Sequence, residues 1–161
     1  MRRVAIELTV NGQAVAAEVP VRKLLSDFLK EDVGLTGVRV SCEHGVCGAC
    51  TILVGGETVR SCLMLAAQAD GADVRTVESL AQDGRFHPIQ QAFRDHHGLQ
   101  CGYCTPSMLM TAHELLRQNP SPSEAEVREA IAGNICRCTG YVHIVRSILA
   151  AAEALRAEAT R

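Results

Sequence analysis

Apolar residues alternate with small or polar ones at the start of the chain: Val4, Ile6, Leu8 and Val10. A two-residue period is that of a half-buried strand. Asn11-Gly12 is a strong short hairpin signal, and Val15, Ala17 and Val19 continue as the return strand. After Pro20 the period changes. Leu24, Leu25, Phe28 and Leu29 recur at helical spacing, and residues 32–37 end that helix. Residues 51–54, the pair Gly55-Gly56 and residues 57–61 predict a second hairpin. Residues 74–77 predict a short closing strand.

The character changes over residues 82–88, and from there the pattern is helical. Pro88 opens a helix carrying Ile89, Ala92 and Phe93, which stops near Gly98. Thr105-Pro106 combines an N-cap residue with Pro at the first helical position. Met108, Leu109, Ala112, Leu115 and Leu116 form the apolar stripe that follows. A third helix opens at Ser121-Pro122-Ser123-Glu124, where Ser121/Glu124 and Ser123/Glu126 both fit a capping box. Val127, Ala130 and Ile131 form its stripe. Ile144, Val145, Ile148, Leu149, Ala152 and Leu155 predict a fourth helix, with a fraying end or tail beyond. The chain is therefore expected to be α+β, with a small β-grasp domain over 1–78 and a four-helix bundle over 79–161.

Composition narrows the classes. At 161 residues the chain is long enough for one domain or two small ones. Aromatics are 3% and Trp is absent, so the cores must be aliphatic and Ala-rich. A net charge of −2 argues against a nucleic-acid binder. No apolar run approaches the roughly 18 residues of a membrane span. Arg2-Arg3 is followed by a strand pattern rather than an apolar signal region, so a cytoplasmic location is expected. There, 8 cysteines argue for metal rather than disulfides.

The cysteines fall into two sets. Cys42, Cys47 and Cys50 stand at C-x4-C-x2-C spacing, and Cys62 follows after the second hairpin. That is the spacing of the plant-type [2Fe–2S] loop, in which four thiolates converge on a two-iron cluster. Gly45 and Gly48 let the backbone wrap closely and aim N–H groups at the sulfurs. Zinc prefers two C-x2–4-C knuckles and fits this set poorly. Cys101 and Cys104 form a C-x2-C, and Cys136 and Cys138 a C-x-C. Spacing alone leaves this second set open between another cluster and a tetrahedral zinc. A thioredoxin-like pair at Cys101 and Cys104 would leave Cys136 and Cys138 unexplained. His44, His96 and His97 invite a Rieske reading, but the cysteines already complete both sets. His96 and His97 close a helix, where a cation suits the dipole. The charged run 124–129 reads as a solvated helix face. There is no nucleophile–base pair, phosphate loop or GxGxxG, so no catalytic residue is expected in this chain.

The runs CEHGVCGACT (42–51), QCGYCTPSM (100–108) and GNICRCTGY (133–141) resemble the small iron–sulfur subunit of the molybdenum hydroxylases, the xanthine oxidase and aerobic carbon monoxide dehydrogenase family. The resemblance covers essentially the whole chain. One departure is Ser107, where the family usually has Gly, which bears on the close packing at that helix start. The resemblance implies a plant-type ferredoxin domain followed by the helical domain. It implies two [2Fe–2S] clusters, held by Cys42, Cys47, Cys50 and Cys62 and by Cys101, Cys104, Cys136 and Cys138. It further implies a large partner subunit carrying a molybdenum–pterin cofactor and a medium partner carrying FAD, in a doubled heterotrimer. Electrons would leave the molybdenum centre, pass the helical-domain cluster and then the ferredoxin cluster, and reach FAD. By the same resemblance Gln100 would hydrogen-bond the partner's pterin, and Cys138 would lie beside it. Without the resemblance, Gln100 is a polar residue ending a loop. Arg137 is either a solvated charge or an offset to an anionic cluster. Two readings from other classes are a diffusible two-cluster ferredoxin and a colourless zinc-binding interaction module.

Overall fold

The computed structural model describes residues 1–160. The alternating start folds as strand β1 (Arg3–Val10) and returns as β2 (Gln13–Pro20). Asn11 and Gly12 turn between them at φ 51° and 82°. Both positions need positive φ in the hairpin turn whose twist matches its strands, which is why Asn-Gly serves there. Asn11 has a second task. Its amide donates to the Thr76 hydroxyl at 2.9 Å and accepts the Thr76 N–H at 2.8 Å.

The second hairpin is β3 (Thr51–Val54) and β4 (Glu57–Arg60), and β5 is Asp73–Arg75. The sheet order is β2-β1-β5-β3-β4, with β5 parallel to β1 and antiparallel to β3. Beyond β5, Val77 does not extend the strand but opens a 3-10 turn, Val77–Ser79.

The stretch after Pro20 departs from a plain helix. Leu24 is extended and bridges Leu65, and only Leu25–Asp27 is α-helical (α1). The chain continues as a π-helical turn, Phe28–Asp32, closed by the Val33 N–H on the Phe28 carbonyl at 3.1 Å. The wider turn keeps Leu25, Phe28 and Leu29 fully buried beneath Ile6, Leu8, Val19 and Ile52.

The second half holds α2 (Pro88–Asp95), α3 (Thr105–Gln118), α4 (Glu124–Ala130) and α5 (Val142–Ala159). Their apolar stripes meet in one cluster that includes Ile89, Phe93, Met108, Val127, Ile144 and Ile148. The caps differ from expectation in instructive ways. His87 caps α2, accepting the Ile89 N–H on Nδ1 at 3.2 Å. Cys104, not Thr105, is the residue before α3, and the Thr105 hydroxyl is buried without a partner. Ser123 and Glu126, not Ser121 and Glu124, form the capping box of α4. Helix α2 ends at Asp95, and His97 takes the left-handed position at φ 55° that a helix end often gives to Gly. Gly98 follows because a Cβ there would lie 2.5 Å from Ser147 Oγ, where α2 meets α5.

The two halves share strand β3. Side chains alternate between the faces of a strand, so Ile52 enters the sheet core while Leu53 enters the helical core. Polar contacts reinforce the seam. Thr58 N–H donates to Glu114 at 3.0 Å, and Arg117 to the Gly56 carbonyl at 2.9 Å. Asn134 is 1% exposed. Its amide donates to the Gly48 carbonyl at 3.1 Å and to Thr51 Oγ1 at 3.2 Å, and it accepts the Thr111 hydroxyl at 3.0 Å.

Two outcomes follow from this packing. Asn134→Ala strands buried polar groups on both halves, so unfolding free energy should fall by about 2 kcal/mol or more in a denaturant titration. Glu124→Gln removes an exposed i,i+4 pair with Arg128 and a negative charge in the first turn of α4, and should cost no more than about 1 kcal/mol. His87 and His113 stack edge to face at 5.5 Å. Burial lowers both pKa values, with His87, Arg117 and Arg75 adding to the effect at His113 and Glu158 opposing it at His87. The unfolded chain therefore binds these protons first. Their contribution to stability is complete above the ordinary His range near ~6.5 and is lost as pH falls below it. Thermal unfolding from about pH 7.5 to 5 should show this decline, and His113→Gln should flatten it.

Candidate metal centres

The first loop, between Val40 and β3, is wound by residues of positive φ: Glu43 at 55°, Gly45 at 81° and Gly48 at 70°. Gly48 cannot be replaced without moving backbone, since a Cβ there would lie 2.2 Å from the Gly133 carbonyl oxygen. A Cβ on Gly45 would meet only the Leu63 side chain, which is largely exposed. The winding aims the Cys47 N–H at Cys42 Sγ, 3.4 Å away. That N–H, together with those of His44 and Val46, holds the Cys42 thiol down at about 6, well below the usual range. A sulfur surrounded by N–H donors is set up to be a thiolate.

The hairpin brings in the rest. Thr51 pairs with Arg60, so Cys50 and Cys62 flank the open end of β3 and β4. Ser61 closes that end, its N–H and hydroxyl both on the Cys50 carbonyl at 3.3 and 2.8 Å. Cys50 and Cys62 are both buried. Burial first, and the adjacent Cys50 thiol second, push Cys62 up to about 11. Cys42 is also close enough to act on Cys62, and the Cys47 side chain to act on Cys42, so the four thiols of this set are linked pair by pair.

The second set sits where two interhelix turns meet. Cys101 and Cys104 lie between α2 and α3, with Gly102 at φ 80°. The Tyr103 N–H reaches Cys101 Sγ at 3.5 Å. Cys136 and Cys138 precede α5. Burial and then the neighbouring Cys136 push Cys104 up to about 12. Burial also raises Cys136, but the Thr139 hydroxyl and the N–H groups of Cys138 and Thr139 outweigh it, so the net direction is down. Cys138 is raised mainly by its neighbour Cys101. The thiols thus stand in pairs, Cys104 with Cys136 and Cys101 with Cys138. Two facing pairs fit a two-iron centre, in which each iron takes two thiolates.

The remaining candidates are peripheral. Gln100 is exposed beside the exposed Cys101. Arg137 is exposed, as are His44, His96 and His97. The His44 ring contacts the Cys42 carbonyl, and the His96 carbonyl contacts His143 Nδ1 at 3.2 Å. Ser107 is fully buried, and its hydroxyl donates to the Cys104 carbonyl at 2.9 Å, so the helix start accommodates it. Sequence reasoning missed the residues that support the thiols. Tyr103 Oη donates to the Val40 carbonyl at 2.6 Å, tying the second loop to the approach of the first. The Ile135 N–H donates to the Cys47 carbonyl at 2.8 Å, one residue before Cys136. Thr139 and Tyr141 bracket the C-x-C turn. Their position within the run 133–141 was the available signal, but only the folded turn shows their partners.

Comparison with known proteins agrees with this geometry. Residues 8–81 match the family model "2Fe-2S iron-sulfur cluster binding domain", and residues 76–149 match "[2Fe-2S] binding domain". The chain is 56% identical over 147 residues to the nicotine 6-hydroxylase small subunit of Paenarthrobacter nicotinovorans, covering 91% of this chain and 88% of that one. It is 56% identical over 146 residues to caffeine dehydrogenase subunit gamma of Pseudomonas sp. strain CBB1, covering 89% and 87%. Its structure superimposes on a chain of quinoline 2-oxidoreductase from Pseudomonas putida 86 with a TM-score of 0.94, at 50% identity and 98% coverage of each chain. This chain, with its two 2Fe–2S binding domains, belongs to the small iron–sulfur subunits of the molybdenum hydroxylase family.

Proposed function

We propose that this chain is the electron conduit of a cytoplasmic molybdenum hydroxylase, a ferredoxin domain over 1–78 joined to a four-helix-bundle domain over 79–161. Cys42, Cys47, Cys50 and Cys62 hold one [2Fe–2S] cluster, and Cys101, Cys104, Cys136 and Cys138 hold the other. A large partner carries the molybdenum–pterin cofactor and a medium partner carries FAD, in a dimer of heterotrimers. Electrons travel from molybdenum by way of the second site and then the first to FAD. The clusters supply one-electron couples that side chains lack.

The observation that carries this reading is the placement of two complete thiol sets with donors aimed at sulfur in each. The sets are joined through one backbone hydrogen bond, Ile135 to Cys47, at 2.8 Å. Exposed apolar side chains mark both sites: Val46 and Leu63 at the first, and Leu99, Tyr103, Ile135 and Val142 at the second. Such residues suit burial against partner subunits. Gln100 and the exposed Cys138 would face the pterin-bearing partner. Relatives named for nicotine, caffeine and quinoline all point to nitrogen heterocycles, and we extend that substrate class to this complex.

EPR of the dithionite-reduced protein, with iron counted on the same sample, tests the ligand assignment. Two distinct signals and about four irons per chain are expected, since each cluster holds two. Cys42→Ser should lose or alter the first signal alone, and Cys136→Ser the second alone. One signal with about two irons and bound zinc would remove the second cluster. Purification from the native host should bring down a flavoprotein and a molybdoprotein together; recovery of the cluster-loaded chain without either would sink the subunit reading.

A further inference from the structure

The turn that carries Cys136 and Cys138 into α5 contains two consecutive left-handed residues, Gly140 at φ 62° and Tyr141 at φ 69°. Gly adopts this freely. Tyr has a Cβ, and the conformation costs about 1–2 kcal/mol. Such a residue stays there only when its surroundings hold it. Tyr141 is held at three points. Its Oη accepts the Cys136 N–H at 2.8 Å, its carbonyl accepts the Val145 N–H at 2.9 Å, and its own N–H donates to Thr139 Oγ1 at 3.2 Å.

The last contact decides what Thr139 does. A hydroxyl has one hydrogen to donate and two lone pairs. With the Tyr141 N–H already pointing at the oxygen, the hydroxyl hydrogen goes elsewhere. The sulfur of Cys136 lies 3.2 Å away. Once Cys136 is a thiolate ligand it has no hydrogen to give, so this bond can run only from the Thr139 hydroxyl to the sulfur. Cys136 is 8% exposed and Thr139 is half-buried, so water competes little for the bond. Among the described residues, Thr139 is the one hydroxyl that donates to a thiol sulfur; the donors on Cys42 and Cys101 are backbone N–H groups, which a substitution leaves in place.

We infer that the Thr139 hydroxyl sets the reduction potential of the second cluster by donating to the sulfur of Cys136. This rests on the proposal that the second thiol set holds a [2Fe–2S] cluster. Four thiolates on the two-iron core leave a net negative site, and reduction adds one more negative charge. A donor on a ligand sulfur stabilises the more negative state and so raises the potential. Thr139 is thus a positioning residue for charge at the cluster rather than a ligand.

The test is an EPR-monitored redox titration of the cluster-loaded chain in its native complex, comparing wild type, Thr139→Val and Thr139→Ser. Val keeps the shape and removes the donor; Ser keeps the donor. The second cluster in Thr139→Val should become about tenfold harder to reduce, a fall of about 59 mV for a one-electron couple. Thr139→Ser should stay within about twofold of wild type on the same scale, and the first cluster should not move in either variant. Thr139→Val within that twofold margin, with its second signal intact, overturns the inference. So does a Ser variant shifted as far as the Val variant, or both clusters moving together. If Thr139→Val loses the second signal, Thr139→Ala is read in its place. Loss in Ala as well makes Thr139 a structural residue and also overturns the inference. Absence of the second signal from wild type is a different result, and overturns the cluster assignment itself.

Discussion

The close approach of two backbones, at Gly48 and Gly133, is the constraint on which the rest of the molecule depends. No side chain fits between them, as a Cβ on Gly48 would sit 2.2 Å from the Gly133 oxygen. The contact puts the loop of the first thiol set directly against the turn that leads into the second. Asn134 then has its amide within reach of Gly48 and Thr51, and Ile135 has its N–H within reach of Cys47. Arg60 adds a third tie, from its guanidinium to the Gly133 carbonyl at 2.7 Å. The two sites are therefore not independent modules on a tether. Their relative position is defined by several short directional bonds, those of Asn134 buried, which suits parts that must exchange electrons at a fixed separation.

Burial is unevenly distributed within each site. Cys50, Cys62 and Cys136 face the protein interior, while Cys101 and Cys138 face outward. Burial disfavours a thiolate, and donors favour it. The structure arranges both at each site. Cys42 has an abundance of N–H groups and little burial; Cys62 and Cys104 have the reverse. A metal centre bound by all four thiols would draw on that difference, because sulfurs with donors can hold more negative charge than those without.

Much of the fold was legible in the sequence because its signals are local. The period-two strands, the Asn-Gly turn and the apolar stripes of the helices each depend on residues within a few positions of one another. Boundaries that depend on distant partners were not legible. Leu24 carries a helical pattern but pairs with Leu65, and Phe28–Asp32 widens into a π-turn under the sheet. Thr105 has the chemistry of a cap, yet the chain enters α3 one residue earlier, with Cys104 in the cap position. His87, a residue with no cap signature in sequence, caps α2 instead.

The sequence by itself determined the number of thiols, their grouping into two sets and the elements that carry them, since spacing along the chain is a covalent property. Only the tertiary structure decided how the thiols pair, which of them face outward, and which uncharged groups attend the sulfurs. Asn134 and Thr139 are unremarkable in a list of residues. Asn134 matters because its partners at Gly48 and Thr51 are more than eighty positions away in the chain. Thr139 matters because the folded turn places its hydroxyl 3.2 Å from the Cys136 sulfur and under the Tyr141 N–H. Hydrogen bonds reach about 3 Å through space regardless of sequence separation, and only folding brings such partners within that reach.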